Sequence, residues 1–155
     1  MIPTGIGGYI APGPVCDLTI PNAALPNRFE GDRKAYSMNY FLLKAGNALK
    51  LHRLNQDEQW FFHQGSGIQL HIFSDDEVYS TPTLGSDLDQ GQVFQGSLPH
   101  NQWFGAELLG PGYALVGCSL APGWDKRDTT TPTAEQMETL ETALPEQAAT
   151  LNLLK

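Results

Sequence analysis

Short runs of apolar and aromatic residues, alternating in and out and cut apart by glycine, proline and asparagine, constrain this chain more than any other feature. The runs are AYSMNYFLL (35–43), ALKLHRL (48–54), EQWFFH (58–63), GIQLHIFS (67–74), EVYSTPTL (77–84), QVFQGSL (92–98), NQWFGAELL (101–109) and GYALVGCSLAP (112–122). Successive side chains on a strand point to opposite faces, so runs with this period read as strands with one face buried. Strands this short, at so regular a spacing, predict an all-β barrel or sandwich. With 155 residues, 41% of them hydrophobic, the chain has material for one domain and one core.

The two ends differ from the middle. Residues 1–35, rich in Gly, Pro and Asn, read as an extended N-terminal arm, residues 36–128 as the barrel, and residues 129–155 as a helical tail packed on it. In the tail, Met137, Leu140 and Leu144 stand at i, i+3 and i+7 behind Pro132, which puts one apolar stripe on a helix. Arg28, Arg33 and Lys34 are mixed with Glu30 and Asp32, the pattern of a solvated loop, and Asp75, Asp76 and Glu77 read as a solvated hairpin loop. The net charge of −8 argues against a nucleic-acid partner, whose phosphates would be repelled. No run reaches the length of a membrane span and the N-terminus lacks the segments of a leader peptide, so a cytoplasmic location is expected. Cys16 and Cys118 have no metal-type spacing, and Cys118, inside an apolar run, is expected to be a buried reduced thiol.

The chemistry concentrates in GNALKLHRLNQDEQWFFHQG (46–65). Read as a hairpin turning at Asn55, Gln56 and Asp57, it sets His52 opposite Trp60, with Leu49 and Leu51 on the other face. His52 and Glu58 become diagonal neighbours, their Cβ atoms roughly 7 Å apart. One base and one carboxylate would then share an aromatic pocket with Trp60 and Phe62, the make-up of a small-molecule site. A satisfied polar pair near a barrel mouth fits the same pattern. His63, on the opposite face beside a turn glycine, reads as structural or as part of an interface, and His71 as a core or interface histidine.

The same stretch resembles the first motif of the cupin superfamily, G-x5-H-x-H-x3-E-x6-G, at Gly46, His52, Leu54, Glu58 and Gly65. FLLKAGNALKLHRLNQDEQWFFHQG, LGSDLDQGQVFQGSLPHNQWFGA (84–106) and GYALVGCSLAPGWD (112–125) together resemble the cupin-5 family, over residues 36 to 128. The resemblance implies a double-stranded β-helix, the RmlC-like cupin jelly-roll barrel, here with a C-terminal helix. It also implies a homodimer, with the arm and residues 35–43 covering an exposed sheet edge. Metal-binding cupins use three histidines and a glutamate. By that correspondence His52 and Glu58 are present, while Leu54 and Phe104 stand where two histidines would be. His100 lies nearby, but in a different loop position. No cofactor is therefore expected, with a divalent metal on an altered ligand set as the alternative. Asn101 follows Pro99 where the family has glycine, and asparagine tolerates the left-handed conformation better than most residues.

Three readings of function follow. In the first, His52 and Glu58 are an acid–base pair of an isomerase, epimerase or cyclase acting on a small molecule. Trp60, Phe62, His100, Trp103, Phe104 and Tyr113 would line its substrate, and Tyr113 or Tyr40 would be the candidate for any further acid. In the second, the same aromatic residues hold a ligand without catalysis. In the third, an altered ligand set serves a metal-dependent lyase or dioxygenase.

Overall fold

Alternation along each strand divides the side chains between the inside of a barrel and its surface, and two sheets close round that inside. The computed structural model describes residues 1–74 and 78–155. In chain order its strands begin with β1 (Ile2–Pro3), β2 (Tyr9–Val15) and a small ribbon, β3 (Thr19–Ile20) with β4 (Arg33–Lys34). The long strands follow: β5 (Ser37–Lys44), β6 (Ala48–Leu54), β7 (Asp57–Gly65) and β8 (Ile68–Phe73). After them come β9 (Tyr79–Ser80), β10 (Thr83–Leu84), β11 (Gln95–Leu98), β12 (Trp103–Leu108), β13 (Tyr113–Ala121) and β14 (Thr129–Thr130). Helices α1 (Ala134–Ala143) and α2 (Ala148–Leu153) end the chain. The expected solvated loop at Asp75, Asp76 and Glu77 lies outside the described residues.

One sheet runs β1-β2-β5-β13-β7-β11 and the other β10-β8-β12-β6-β14. Sequence neighbours such as β6 and β7 therefore lie in opposite sheets, the arrangement of a jelly roll, and the fold is the double-stranded β-helix. Inward positions fill one core, including Phe41 and Leu43 of β5, Ile68, Leu70 and Ile72 of β8, and Val116 and Leu120 of β13. On the outer face of the second sheet Leu51, Phe73 and Trp103 pack under Met137, Leu144, Leu151 and Leu154 of the tail. The tail is two helices, not one. Thr133 caps α1 by accepting from Gln136 N at 3.2 Å, and Pro145, which cannot continue the hydrogen-bond ladder, opens a new turn after Leu144. Among the described residues no helix is long and apolar enough to cross a membrane.

The N-terminal segment is part of the sheet, since β2 pairs antiparallel with β5 and covers its edge. Arg33 corrects the expectation of a solvated loop. It is buried, and its guanidinium grips the buried Asp128 carboxylate in two bonds of 2.9 and 2.7 Å. Asp128 also accepts from Gln56 Nε2 at 3.2 Å, Asn55 Nδ2 at 3.3 Å and Asp125 N at 3.0 Å. Burial alone would raise the Asp128 pKa, but these donors hold it below the usual carboxylate range. Breaking such a pair leaves a charge buried without compensation. Arg33→Met is therefore expected to lose about 3 kcal/mol or more in urea denaturation, whereas a loss under about 1 kcal/mol would show that the pair is solvated.

Candidate functional site

The barrel interior holds a few polar groups in an apolar surround. Two of them, His52 and Glu58, are 6% and 7% exposed. They do not reach the interior as a hairpin pair, because β6 pairs with β12 and β14, and β7 pairs with β13 and β11. The two residues Asn55 and Gln56 carry the chain from one sheet to the other, so base and acid face the core from opposite walls.

A bulge turns His52 inward. Phe104 pairs with His52 but Ala106 pairs with Leu49, so Lys50 and Leu51 together stand opposite Gly105. Such an extra residue reverses the alternation. Leu49 and Leu54 join the barrel core and Leu51 the outer cluster, which corrects the expectation that Leu49 and Leu51 share a face. His52 Nδ1 lies 2.9 Å from the Lys50 carbonyl oxygen. A carbonyl can only accept, so Nδ1 carries the proton and Nε2 is left with its lone pair. The imidazole ring lies against Phe104, with centroids 4.1 Å apart. Burial lowers the His52 pKa to about 4, against the pull of the Lys50 carbonyl, and the ring is neutral at neutral pH.

Glu58 is the complement. Burial raises its pKa to about 7, partly offset by the Trp60 indole and the Cys118 thiol that face it. Among the described residues, buried Trp60 Nε1 has no acceptor within bonding geometry, although the indole faces the Glu58 carboxyl and lowers its pKa. Cys118 is a free, buried thiol, as expected, and its pKa is pushed well up by burial and by Glu58. Its place beside the acid was not read from the sequence. The alternation of Ala114, Val116, Cys118 and Leu120 puts it on the buried face, but only the register Cys118–Trp60 brings it to Glu58.

The other candidates divide. Trp60 and Phe104 are in the core, and Phe62 packs on it half-buried. Trp103, next to Phe104 on the strand, must face outward, where the Arg53 guanidinium stacks 4.5 Å from its ring centroid. His100 lies at the surface with Nδ1 2.8 Å from Asp57 Oδ1. Tyr113 and Tyr40 are exposed, away from the interior. Asn101 does adopt a left-handed φ of 61°. His71, between Tyr79 Oη at 2.6 Å and Glu107 Oε1 at 3.1 Å, lies on the outer face of the second sheet. Leu54 and Phe104, at the two remaining ligand positions of the family motif, are apolar core residues, and among the described residues no three His, Cys, Asp or Glu side chains converge.

Known proteins with this architecture are found at two levels of similarity. The profile of a family described as Cupin superfamily (DUF985) matches residues 2–131, which takes in the N-terminal segment that the motifs alone left out. A solved protein of Shewanella oneidensis superposes with a TM-score of 0.83 at 28% identity, over 99% of this chain and 90% of its own. A hypothetical protein from Leishmania major gives 0.84 at 28% identity, over 99% and 92%. Oxalate decarboxylase from Bacillus subtilis shares the fold alone, with a TM-score of 0.55 at 15% identity over 90% of this chain and 40% of its own. No curated protein matches the chain in sequence.

The raised Glu58 pKa has a consequence for stability. The folded protein holds this proton more tightly than the unfolded chain, so the contribution is full below the ordinary value of 4.5 and is lost as pH rises to about 7. The depressed His52 pKa works in the opposite sense, and its contribution, full above 6.5, is lost as pH falls towards about 4. Glutamine cannot ionise. Glu58→Gln should therefore match the native protein at about pH 4.5 and exceed it by about 3 kcal/mol at about pH 8 in urea denaturation. An equal difference at both pH values would show that Glu58 is solvated.

Proposed function

From the premise that this chain belongs to the cupin superfamily, in the family DUF985, we propose that it is a small-molecule enzyme that moves a proton between His52 and Glu58. The observation that carries this reading is the placement of the pair, a buried base and a buried acid on opposite walls of one apolar interior. His52 offers a bare Nε2 and Glu58 an acid proton, and between about pH 4 and about pH 7 both are uncharged in an apolar interior. Two charged partners there would neutralise each other and lose the proton difference that catalysis needs.

His52 Nε2 takes a proton from carbon next to a carbonyl, and Glu58 gives one to the carbonyl oxygen. The imidazolium then returns its proton to the neighbouring carbon while the Glu58 carboxylate takes the proton of the hydroxyl there, which completes an isomerisation and restores both groups. An acid and a base on opposite walls suit attack on two faces of one substrate. Trp60 Nε1, buried without an acceptor, supplies a donor for a substrate oxygen. The uncharged interior favours a neutral substrate.

The reading is metal-free, because the donor set does not fit a resident divalent ion. Such an ion takes at least three protein ligands, and Leu54 and Phe104 supply none. We place the activity in a homodimer in the cytoplasm. The same interior would serve a binding protein equally well if no proton moved.

Incubation with a panel of enolisable ketones and sugars in deuterium oxide, followed by proton NMR, separates these readings. The protein is expected to exchange carbon-bound hydrogen of one class, with a rate that falls below about pH 4 and above about pH 7. His52→Gln and Glu58→Gln should each slow the exchange by about 100-fold or more. Tight binding with no exchange would leave the binding protein, and exchange unaffected by either substitution would sink the assignment of the pair.

A further inference from the structure

The outer face of the second sheet carries a polar cluster that the barrel interior does not use. On β8 the outward residues are Gln69, His71 and Phe73, because Ile68, Leu70 and Ile72 fill the core. The register sets Gly105 of β12 opposite His71, Glu107 opposite Gln69, and Tyr79 of β9 opposite Phe73. From these places Tyr79 and Glu107 meet the imidazole on its two nitrogens. The Tyr79 hydroxyl lies 2.6 Å from His71 Nδ1, and Glu107 Oε1 lies 3.1 Å from Nε2. A carboxylate only accepts, so Nε2 carries the proton and Nδ1 takes the hydrogen bond of the phenol. The phenol and imidazole rings lie within 13° of parallel, and the phenol packs on Phe73 at 5.1 Å between centroids. Gly105, beside His71, lies under the tail, since a Cβ there would stand 2.9 Å from Leu154 Cδ2. His71 is 2% exposed, Tyr79 is half-buried, and the Glu107 side chain is 34% exposed.

We propose that Tyr79, His71 and Glu107 form a second reactive site, in which the Tyr79 hydroxyl is the nucleophile of acyl transfer from a small, neutral carboxylic ester. The order of hydroxyl, imidazole and carboxylate is the first argument. A phenol is a weak nucleophile until a base takes its proton, and a carboxylate behind the base stabilises the imidazolium that forms. Burial is the second argument. It lowers the His71 pKa against the pull of Glu107, so the ring remains a base at neutral pH. Tyr79 and Glu107 keep part of their surface in water, and β9 stands outside the main strand order, paired with β8. An ester therefore approaches from solvent without entering the barrel.

Tyr79 Oη bonds to the carbonyl carbon while its proton passes to His71 Nδ1, and Glu107 holds the imidazolium through Nε2–H. The bond from that carbon to the leaving oxygen then breaks and its electron pair stays on the oxygen. Nδ1 gives its proton to that oxygen as the alcohol departs. Tyr79 is left as a phenol ester, which is itself activated. Water, losing a proton to Nδ1, attacks the acyl carbon; the free acid leaves and the proton returns to Tyr79. The Glu107 carboxylate and the net charge of −8 repel an anionic ester, which selects a neutral one. This inference is independent of the reading of the barrel interior.

The probe is p-nitrophenyl acetate, a small neutral ester with a good leaving group. The full chain is expected to release nitrophenol with turnover. After acid quenching, peptide mass spectrometry should find acetyl on Tyr79 ahead of Tyr36, although Tyr36 is the more exposed, at 40%. Tyr79→Phe, which keeps the ring on Phe73, and His71→Gln should each slow turnover by about 100-fold or more. Glu107→Gln, which keeps an acceptor for Nε2–H without the charge, should slow it as well. Tyr36→Phe should turn over at the native rate, and thermal unfolding of each variant controls for folding. A native rate in Tyr79→Phe, His71→Gln or Glu107→Gln would overturn the inference. So would acetyl appearing on Tyr36 as fast as on Tyr79, or a native protein that releases nitrophenol no faster than buffer does.

Discussion

The position of the two walls of the barrel depends on one buried carboxylate. Strand β6 brings His52 to one sheet and β7 brings Glu58 to the other, and only Asn55 and Gln56 lie between them. Both of those amides donate to Asp128, which Arg33 neutralises with a two-point grip. The Arg28 guanidinium donates to the Asn55 carbonyl at 2.7 Å, and the Asn55 side chain returns a bond to the Arg28 carbonyl at 2.9 Å. The crossing between sheets is thus fixed by residues from the N-terminal segment and from the stretch just before the tail. A buried network of this kind specifies geometry more than it adds stability, since removing two charges from water offsets much of their attraction. Among the described residues Gln56 Oε1 is buried without a partner, so even here the satisfaction is incomplete.

Inside the walls, replacing ligands by apolar residues has an electrostatic effect that reaches the residues left behind. A metal ion would hold a glutamate ionised and a histidine neutral by direct coordination. With Leu54 and Phe104 in the core, burial outweighs what offsets it, the Trp60 indole and Cys118 thiol at Glu58 and the Lys50 carbonyl at His52. The glutamate then keeps its proton and the histidine refuses one, each for the same reason. Between about pH 4 and about pH 7, an uncharged acid and an uncharged base follow directly from an apolar interior.

The strands were legible because periodicity and turn residues act locally, and nearly every run quoted from the sequence became one. The left-handed Asn101 was legible for the same reason, since its conformation depends on its own side chain. What was not legible depends on partners far away in the chain. A turn between two alternating runs looks the same whether it closes a hairpin or crosses between sheets, so β6 and β7 were read as paired. The bulge at Lys50 and Leu51 leaves no mark in the alternation ALKLHRL, yet it decides that His52 faces in and Leu51 out. Trp103 and Phe104 are equally apolar, and only the presence of the tail over one face makes an outward tryptophan stable. Arg33 looked like its charged neighbours because Asp128, its partner, lies 95 residues away.

The interior and the outer face of the first sheet are coupled by the strands they share. On β7 Trp60 and Phe62 point inward and Phe61 and His63 outward, so successive residues serve the lumen and the surface in turn. On β13, Cys118 lies beside Trp60 while Gly117 gives up its side chain to His63.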